Sequence, residues 1–141
     1  MSHVSKIEIE IKSLEVLKDA CNRLGLRFKE NQKTYRWFGK YMGDYPLPDG
    51  MTQSDLGKCD HAIEAPDCDY DIGVIKKNGY YQLFWDFWSS GGLERKLGQG
   101  AGKLKQAYAI SRIRKEAVNK NYRVSEKQTK TGVRLRMTVA S

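Results

Sequence analysis

Ile7, Ile9 and Ile11 alternate with Glu8, Glu10 and Lys12, the period of two that a strand shows when one face is buried and the other is wet. Ser13 then suits a helix cap, and Leu14, Leu17, Cys21 and Leu24 recur at steps of three and four along one side. Gly25 follows at the position where a left-handed helix end carries least strain. Residues 26 to about 40 return as a strand, or two strands with a bend, rich in Phe28, Tyr35, Trp37 and Phe38.

From residue 43 the periodicity stops. Pro46, Pro48, Gly50 and scattered aspartates mark an irregular acidic loop, about 43–69, whose order depends on what it packs against. Residues 71–76 and 80–88 read as strands joined by Lys77-Asn78-Gly79, an Asn-Gly pair that suits a hairpin turn. Gly91-Gly92 and Gly98-Gln99-Gly100-Ala101-Gly102 bracket a short helical piece over 93–97. A second long helix is predicted from about 103 to 119, with Ala107, Ile110, Ile113, Ala117 and Val118 on its apolar side and Lys105, Tyr108, Arg112 and Lys115 along the other edge. The chain closes with a hairpin over 122–128 and 133–139. Tyr122, Val124, Val133, Leu135, Met137 and Val139 point one way in it, and Arg123, Lys127, Arg134 and Arg136 the other.

Leu26-Arg27-Phe28-Lys29-Glu30-Asn31-Gln32 after the first helix echoes Tyr122-Arg123-Val124-Ser125-Glu126-Lys127-Gln128 after the second. The fold class expected is α+β: a single domain over 1–141, with an antiparallel sheet and two main helices packed on one face, in a ferredoxin-like or related pseudo-duplicated βαββ arrangement. At 141 residues and 40% hydrophobic composition, such a domain can form a core without disulfide or metal. An odd cysteine count, Cys21, Cys59 and Cys68, fits reduced thiols. No apolar run reaches the roughly 20 residues of a membrane span, and the first residues lack signal-peptide character. The expectation is a cytoplasmic protein with no membrane association.

The net charge of +8, from 25 Lys+Arg against 17 Asp+Glu, is unevenly distributed. Asp44, Asp49, Asp55, Asp60, Glu64, Asp67, Asp69 and Asp71 face only Lys58 across 44–72, whereas cations dominate from Glu94 onward. With the helices on one side of the sheet, Arg27 and Lys29 would gather with Arg123, Lys127, Arg134 and Arg136 on the opposite face, a spacing able to follow phosphates. Lys105, Arg112 and Lys115 extend the basic surface along the second helix. Tyr80, Phe84 and Trp88 share one strand face and are aromatic contact candidates, for stacked bases or for a partner. The competing reading is a solubilising charged face, with the aromatics covered by the loop or by a second copy of the chain.

Cys59, His61 and Cys68 contain ligand chemistry for zinc, although Cys-x-His-x6-Cys is not a standard ligand spacing. Asp60, Asp67 and Asp69 would raise a neighbouring thiol pKa, which opposes nucleophilic use. The glycines at 98, 100 and 102 fail the P-loop pattern, and with His3 and His61 as the only histidines no Ser/His/Asp set emerges. No catalytic residues and no cofactor are assigned.

Met1-Ser2-His3, the opening strand and helix, Tyr70-Asp71-Ile72-Gly73, the Trp-containing hairpin, Glu94-Arg95 with Leu97, and Tyr108-Ala109 occur in an order that resembles an uncharacterised family. That family is typified by the chloroplast hypothetical open reading frame thirty-five and has plastid, cyanobacterial and phage members. The resemblance runs from Met1 to about Val139 and departs at the 98–102 glycines and the acidic loop. It implies a small intracellular protein, in the stroma or in a phage host's cytoplasm, and an adaptor role beside an AAA-type ATPase or a host protein; it brings no activity. The leading expectation is therefore a non-enzymatic binding or adaptor module with a protein partner, a second copy included, and the alternative is nucleic-acid binding through the basic C-terminal half and an open sheet face.

Overall fold

The computed structural model describes residues 2–139. Five strands, β1 (Val4–Ile11), β2 (Arg27–Lys29), β3 (His61–Glu64), β4 (Asp71–Lys77) and β5 (Tyr80–Asp86), form one sheet in the order β1-β5-β4-β3-β2, each antiparallel to its neighbours. Helix α1 (Leu14–Arg23) carries the chain from one edge strand to the other and starts where Ser13 Oγ accepts the Val16 N–H at 3.2 Å. After β5 come the short α2 (Leu93–Leu97) and the long α3 (Gly102–Asn119), which packs along α1.

The alternation seen in sequence decides the layers. Ile7, Leu83, Trp85, Ile72, Val74 and Ile63 point to the helix side, where they meet Leu17, Cys21, Leu97 and Leu104 in the main core. Each fully buried aliphatic side chain there contributes about 1.5–3 kcal/mol. No helix among the described residues is long and apolar enough to cross a membrane.

The α+β class and its antiparallel sheet are as the periodicity predicts. The connectivity differs from a duplicated unit, because β6 (Tyr122–Thr129) and β7 (Gly132–Val139) pair only with each other, in a separate two-stranded sheet. The segment expected as strand over 26–40 keeps only Arg27–Lys29. Asn31 then turns at φ 62°, and the chain leaves the edge to cross the second face of the sheet. Tyr35 N–H donates to Gly57 O at 2.9 Å and Asp71 N–H to Arg36 O at 3.0 Å along that crossing. Strand β3 lies inside the stretch expected to be irregular.

Helix α3 buries Leu104, Ala107, Tyr108, Ile110, Ser111 and Ala117, a stripe rotated from the expected one. Tyr108 is inside because its hydroxyl accepts the Lys12 N–H at 3.1 Å. Val118, expected in the apolar stripe, is 71% exposed.

Candidate nucleic-acid interface

The register of β6 and β7 separates two faces. Tyr122, Val124, Glu126, Gln128, Val133, Leu135, Met137 and Val139 lie on one, and Arg123, Ser125, Lys127, Thr129, Arg134, Arg136 and Thr138 on the other. Strand β6 packs on α3, and no hairpin residue belongs to either core cluster. Glu126 anchors the hairpin: its carboxylate accepts from Arg23 Nη1 at 2.9 Å and Nη2 at 2.7 Å, and from Arg114 Nη1 at 3.1 Å. At the turn, a Cβ on Gly132 would stand 2.9 Å from Gln106 Nε2, the mobile end of a side chain on α3.

The Arg23 hydrogen bonds hold the Glu126 carboxyl below the usual carboxylate range. A folded-state pKa below the unfolded one means that the anchoring is whole above the ordinary value of about 4.3 and is lost as pH falls through the depressed one. Its size is about 1 kcal/mol, because all three side chains are partly solvated. Amide exchange should therefore show β6 and β7 losing protection between pH 7 and pH 3 before β4 and β5 do. Glu126→Gln should show the looser hairpin at both pH values.

The outward face is basic. Arg123, Lys127, Arg134 and Arg136 are all exposed, and none has a carboxylate partner among the described residues. Lys127 stands directly opposite Arg134 across the ladder. Like charges in that relation repel, so an anion on this face stabilises it.

The other basic candidates are not gathered with these four. Arg27 and Lys29 are on β2, at the far edge of the five-stranded sheet, and Arg27 pairs with Glu64 at 3.1 Å. Lys115 bonds Glu15 at 2.7 Å across the two long helices. Lys105 lies by Gly100 at the start of α3, and Arg112 is exposed further along it. The expected common face fails because the hairpin is not part of the main sheet.

Nor is the second sheet face open. Residues 30–60 cross it, and Phe84, 3% exposed, is packed with Tyr35, Cys59 and Ala62 beneath Trp37 and Met51. Trp88 lies beyond β5 with its ring centroid 4.8 Å from that of His3, and Tyr80 is half-buried at the start of the strand. The three aromatics thus form no shared platform. What remains of that face is a groove of about 510 Å³ between Tyr45, Pro46, Leu47 and Pro48 and the side chains of Lys6, Glu8 and Gln82.

The acidic middle of the chain holds this covering segment down. Asp71 grips Arg36 through the backbone N–H at 2.9 Å and through the guanidinium, whose Nη2 lies 2.9 Å from Oδ1. Asp44 Oδ2 lies 2.8 Å from His3 Nε2, and Asp60 accepts the Lys76 N–H at 2.7 Å. Asp86, absent from the sequence candidates, is 0% exposed and accepts the N–H groups of His3, Phe38 and Trp88 at 3.0, 3.0 and 3.1 Å. Its signal in sequence is a lone carboxylate inside Leu83-Phe84-Trp85-Asp86-Phe87-Trp88.

Cys59, His61 and Cys68 do not converge. Cys59 belongs to the cluster on the second face and donates its S–H to Gln32 O at 3.2 Å, while Cys68 belongs to the main core. His61 Nδ1 accepts the Asn31 N–H at 2.9 Å. Among the described residues, no three His, Cys, Asp or Glu side chains are placed to hold a metal ion. Burial pushes Cys21 up to about 12 and Cys59 to about 11, and raises Cys68. In the native protein at pH 8 a thiol reagent should therefore label all three slowly, and denaturant should release them together.

Fold and surface define an α+β domain that carries a cationic two-stranded hairpin. Residues 47–138 match the family described as "Protein of unknown function (DUF1257)", and the chain belongs to that family. No curated protein and no solved structure matches it.

Proposed function

We propose that this protein is a non-enzymatic binding module that engages nucleic acid through the outward face of its hairpin. The observation that carries this is the contrast in charge use. Asp44, Asp60, Glu64, Asp71 and Asp86 are engaged by internal partners, whereas Arg123, Lys127, Arg134 and Arg136 stand together with no acid paired to them among the described residues. A face so arranged attracts polyanions, the phosphates of nucleic acid among them, and repels basic surfaces.

Titration of mixed-sequence nucleic acid across a salt series tests the reading. Contacts from four cations give a log–log slope of about −3 to −4. Arg134→Ala with Arg136→Ala should flatten that slope by about 2. Absence of binding at low salt, or binding indifferent to salt, would overturn it.

A second reading, a protein adaptor, is favoured by a different observation. Val118, Met137 and Val139 are 71%, 55% and 75% exposed where α3 meets the hairpin, which leaves apolar surface for a protein contact, whether a second copy, an AAA-type ATPase or a host protein. In a plastid, cyanobacterial or phage-infected setting that contact would be made in stroma or cytoplasm. The two readings are compatible, because the apolar end and the cationic face lie on opposite sides of the hairpin.

A further inference from the structure

We infer that the nucleic acid taken by the hairpin is double-stranded DNA, with β6 and β7 lying as a ribbon in the major groove; this rests on the reading of the outward face as a nucleic-acid site. The side chains on that face are the first ground. Apart from the turn glycine Gly132, the strand residues facing outward from 123 to 138 are Arg, Lys, Ser and Thr, with no aromatic and no carboxylate among them. Proteins that hold single strands do so largely by stacking bases on aromatic rings, at about 1–3 kcal/mol per base. This face has no ring to offer, and the aromatics that could have served, Phe84 and Trp88, are packed in other layers of the domain. Every outward side chain except the turn glycine is instead a hydrogen-bond donor suited to phosphates and to base edges.

Shape is the second ground. The major groove of B-form DNA, about 12 Å wide, admits a two-stranded ribbon, whereas the major groove of A-form RNA is too deep and narrow for side chains to read. The hairpin has two strands of 8 residues, with no third strand beside them among the described residues. At about 3.4 Å per residue it spans about 27 Å, which is less than one turn of the duplex at about 34 Å. One face rests on α3, so the ribbon is supported from behind with its other face outward.

The arrangement of cations divides the work. Arg134 and Arg136 alternate along β7, and Lys127 and Ser125 stand opposite them on β6. A guanidinium can take O6 and N7 of guanine together, which a lysine cannot do with the same geometry. Arg123, near the helix-proximal end of β6, is placed to meet a phosphate as the ribbon leaves the groove.

The test uses the whole chain with three labelled probes of one sequence: a DNA duplex of about two turns, the corresponding RNA duplex, and one DNA strand. The DNA duplex should bind at least about tenfold more tightly than the other two. A ligand of the major groove should displace the protein and a ligand of the minor groove should not. Arg134→Lys with Arg136→Lys should retain the salt dependence but lose about tenfold or more of any preference among duplex sequences, in line with about 1–3 kcal/mol for each bidentate contact. Circular dichroism of that variant should match the parent, since both positions are exposed. Equal affinity for the three probes, preference for the single strand or the RNA duplex, or displacement by the minor-groove ligand overturns the duplex-groove inference and leaves the nucleic-acid reading standing. Failure to bind any probe at low salt removes both.

Discussion

Asp86→Ala is expected to lower the unfolding free energy by about 3–5 kcal/mol, measured by guanidinium titration with an unchanged denaturant slope. The carboxylate is wholly buried and accepts three backbone N–H groups from separate parts of the chain: His3 before β1, Phe38 in the covering segment, and Trp88 after β5. Alanine leaves all three donors without an acceptor, and each orphaned group costs about 1–3 kcal/mol unless water replaces the lost oxygen. Asp86→Asn retains the oxygen shared by His3 and Trp88 and leaves only the Phe38 N–H opposed by an amide, so about half the loss is expected. A cost under about 1 kcal/mol for the alanine variant would mean that these contacts do not hold the covering segment in solution.

Gly73→Ala should cost about 2–4 kcal/mol by forcing a ring out of its seat. Gly73 is in β4, and a Cβ there would stand 2.4 Å from Cδ1 and 2.5 Å from Cε1 of Tyr35. The Tyr35 ring is 3% exposed and is the centre of the small cluster under residues 30–60. It cannot shift by a few tenths of an ångström to admit a methyl group, so the segment that it anchors must lift. Urea unfolding gives the cost, and amide exchange locates it: faster exchange should appear around 33–37 and 57–59 with β5 unchanged. Uniform loss of protection across the sheet would contradict this account.

These two positions give the run Tyr70-Asp71-Ile72-Gly73 a structural meaning. Tyr70 lies against Gly91, whose Cβ would stand 1.9 Å from the Tyr70 ring, Asp71 binds Arg36, Ile72 enters the main core, and Gly73 makes room for Tyr35. This motif, one of those that carry the family resemblance, fastens the loops to the sheet, and its carboxylate is buried against Arg36.

What could be read from the chain was whatever repeats locally. β1, α1 and the terminal hairpin carry a period of two or of three to four, and the Asn78-Gly79 turn and the bracketing glycines delimit β4, β5 and α2. α3 was legible in extent, although its buried stripe is rotated from the expected one. β3 was not legible because His-Ala-Ile-Glu holds one large apolar residue among flanking aspartates. The roles of the aspartates in the acidic stretch were not legible because their partners are distant in sequence: Lys76 for Asp60, Arg36 for Asp71, His3 for Asp44. The two faces of the hairpin followed from alternation alone, but its support did not, since Glu126 reaches back to Arg23 on α1. The supposed basic face mixed residues of two separate sheets for the same reason: period tells which side of a strand a residue occupies, and only long-range pairing tells which sheet.

The sheet order has a consequence for how the chain comes off the ribosome. β3, β4 and β5 can form a meander from near neighbours, but β1 pairs only with β5, Val4 lying opposite Asp86. β1 is thus synthesised well before its partner, and its isoleucines stay unpartnered until β5 has been made. Ending the wait requires closing a long loop, which slows folding and prolongs exposure of an edge that could pair with another nascent chain. Glu8, Glu10 and Lys12, interleaved with Ile7, Ile9 and Ile11, make such a mispairing poor. The alternation that marks a half-buried strand in the finished domain also acts earlier, as a gatekeeper for the unfinished one.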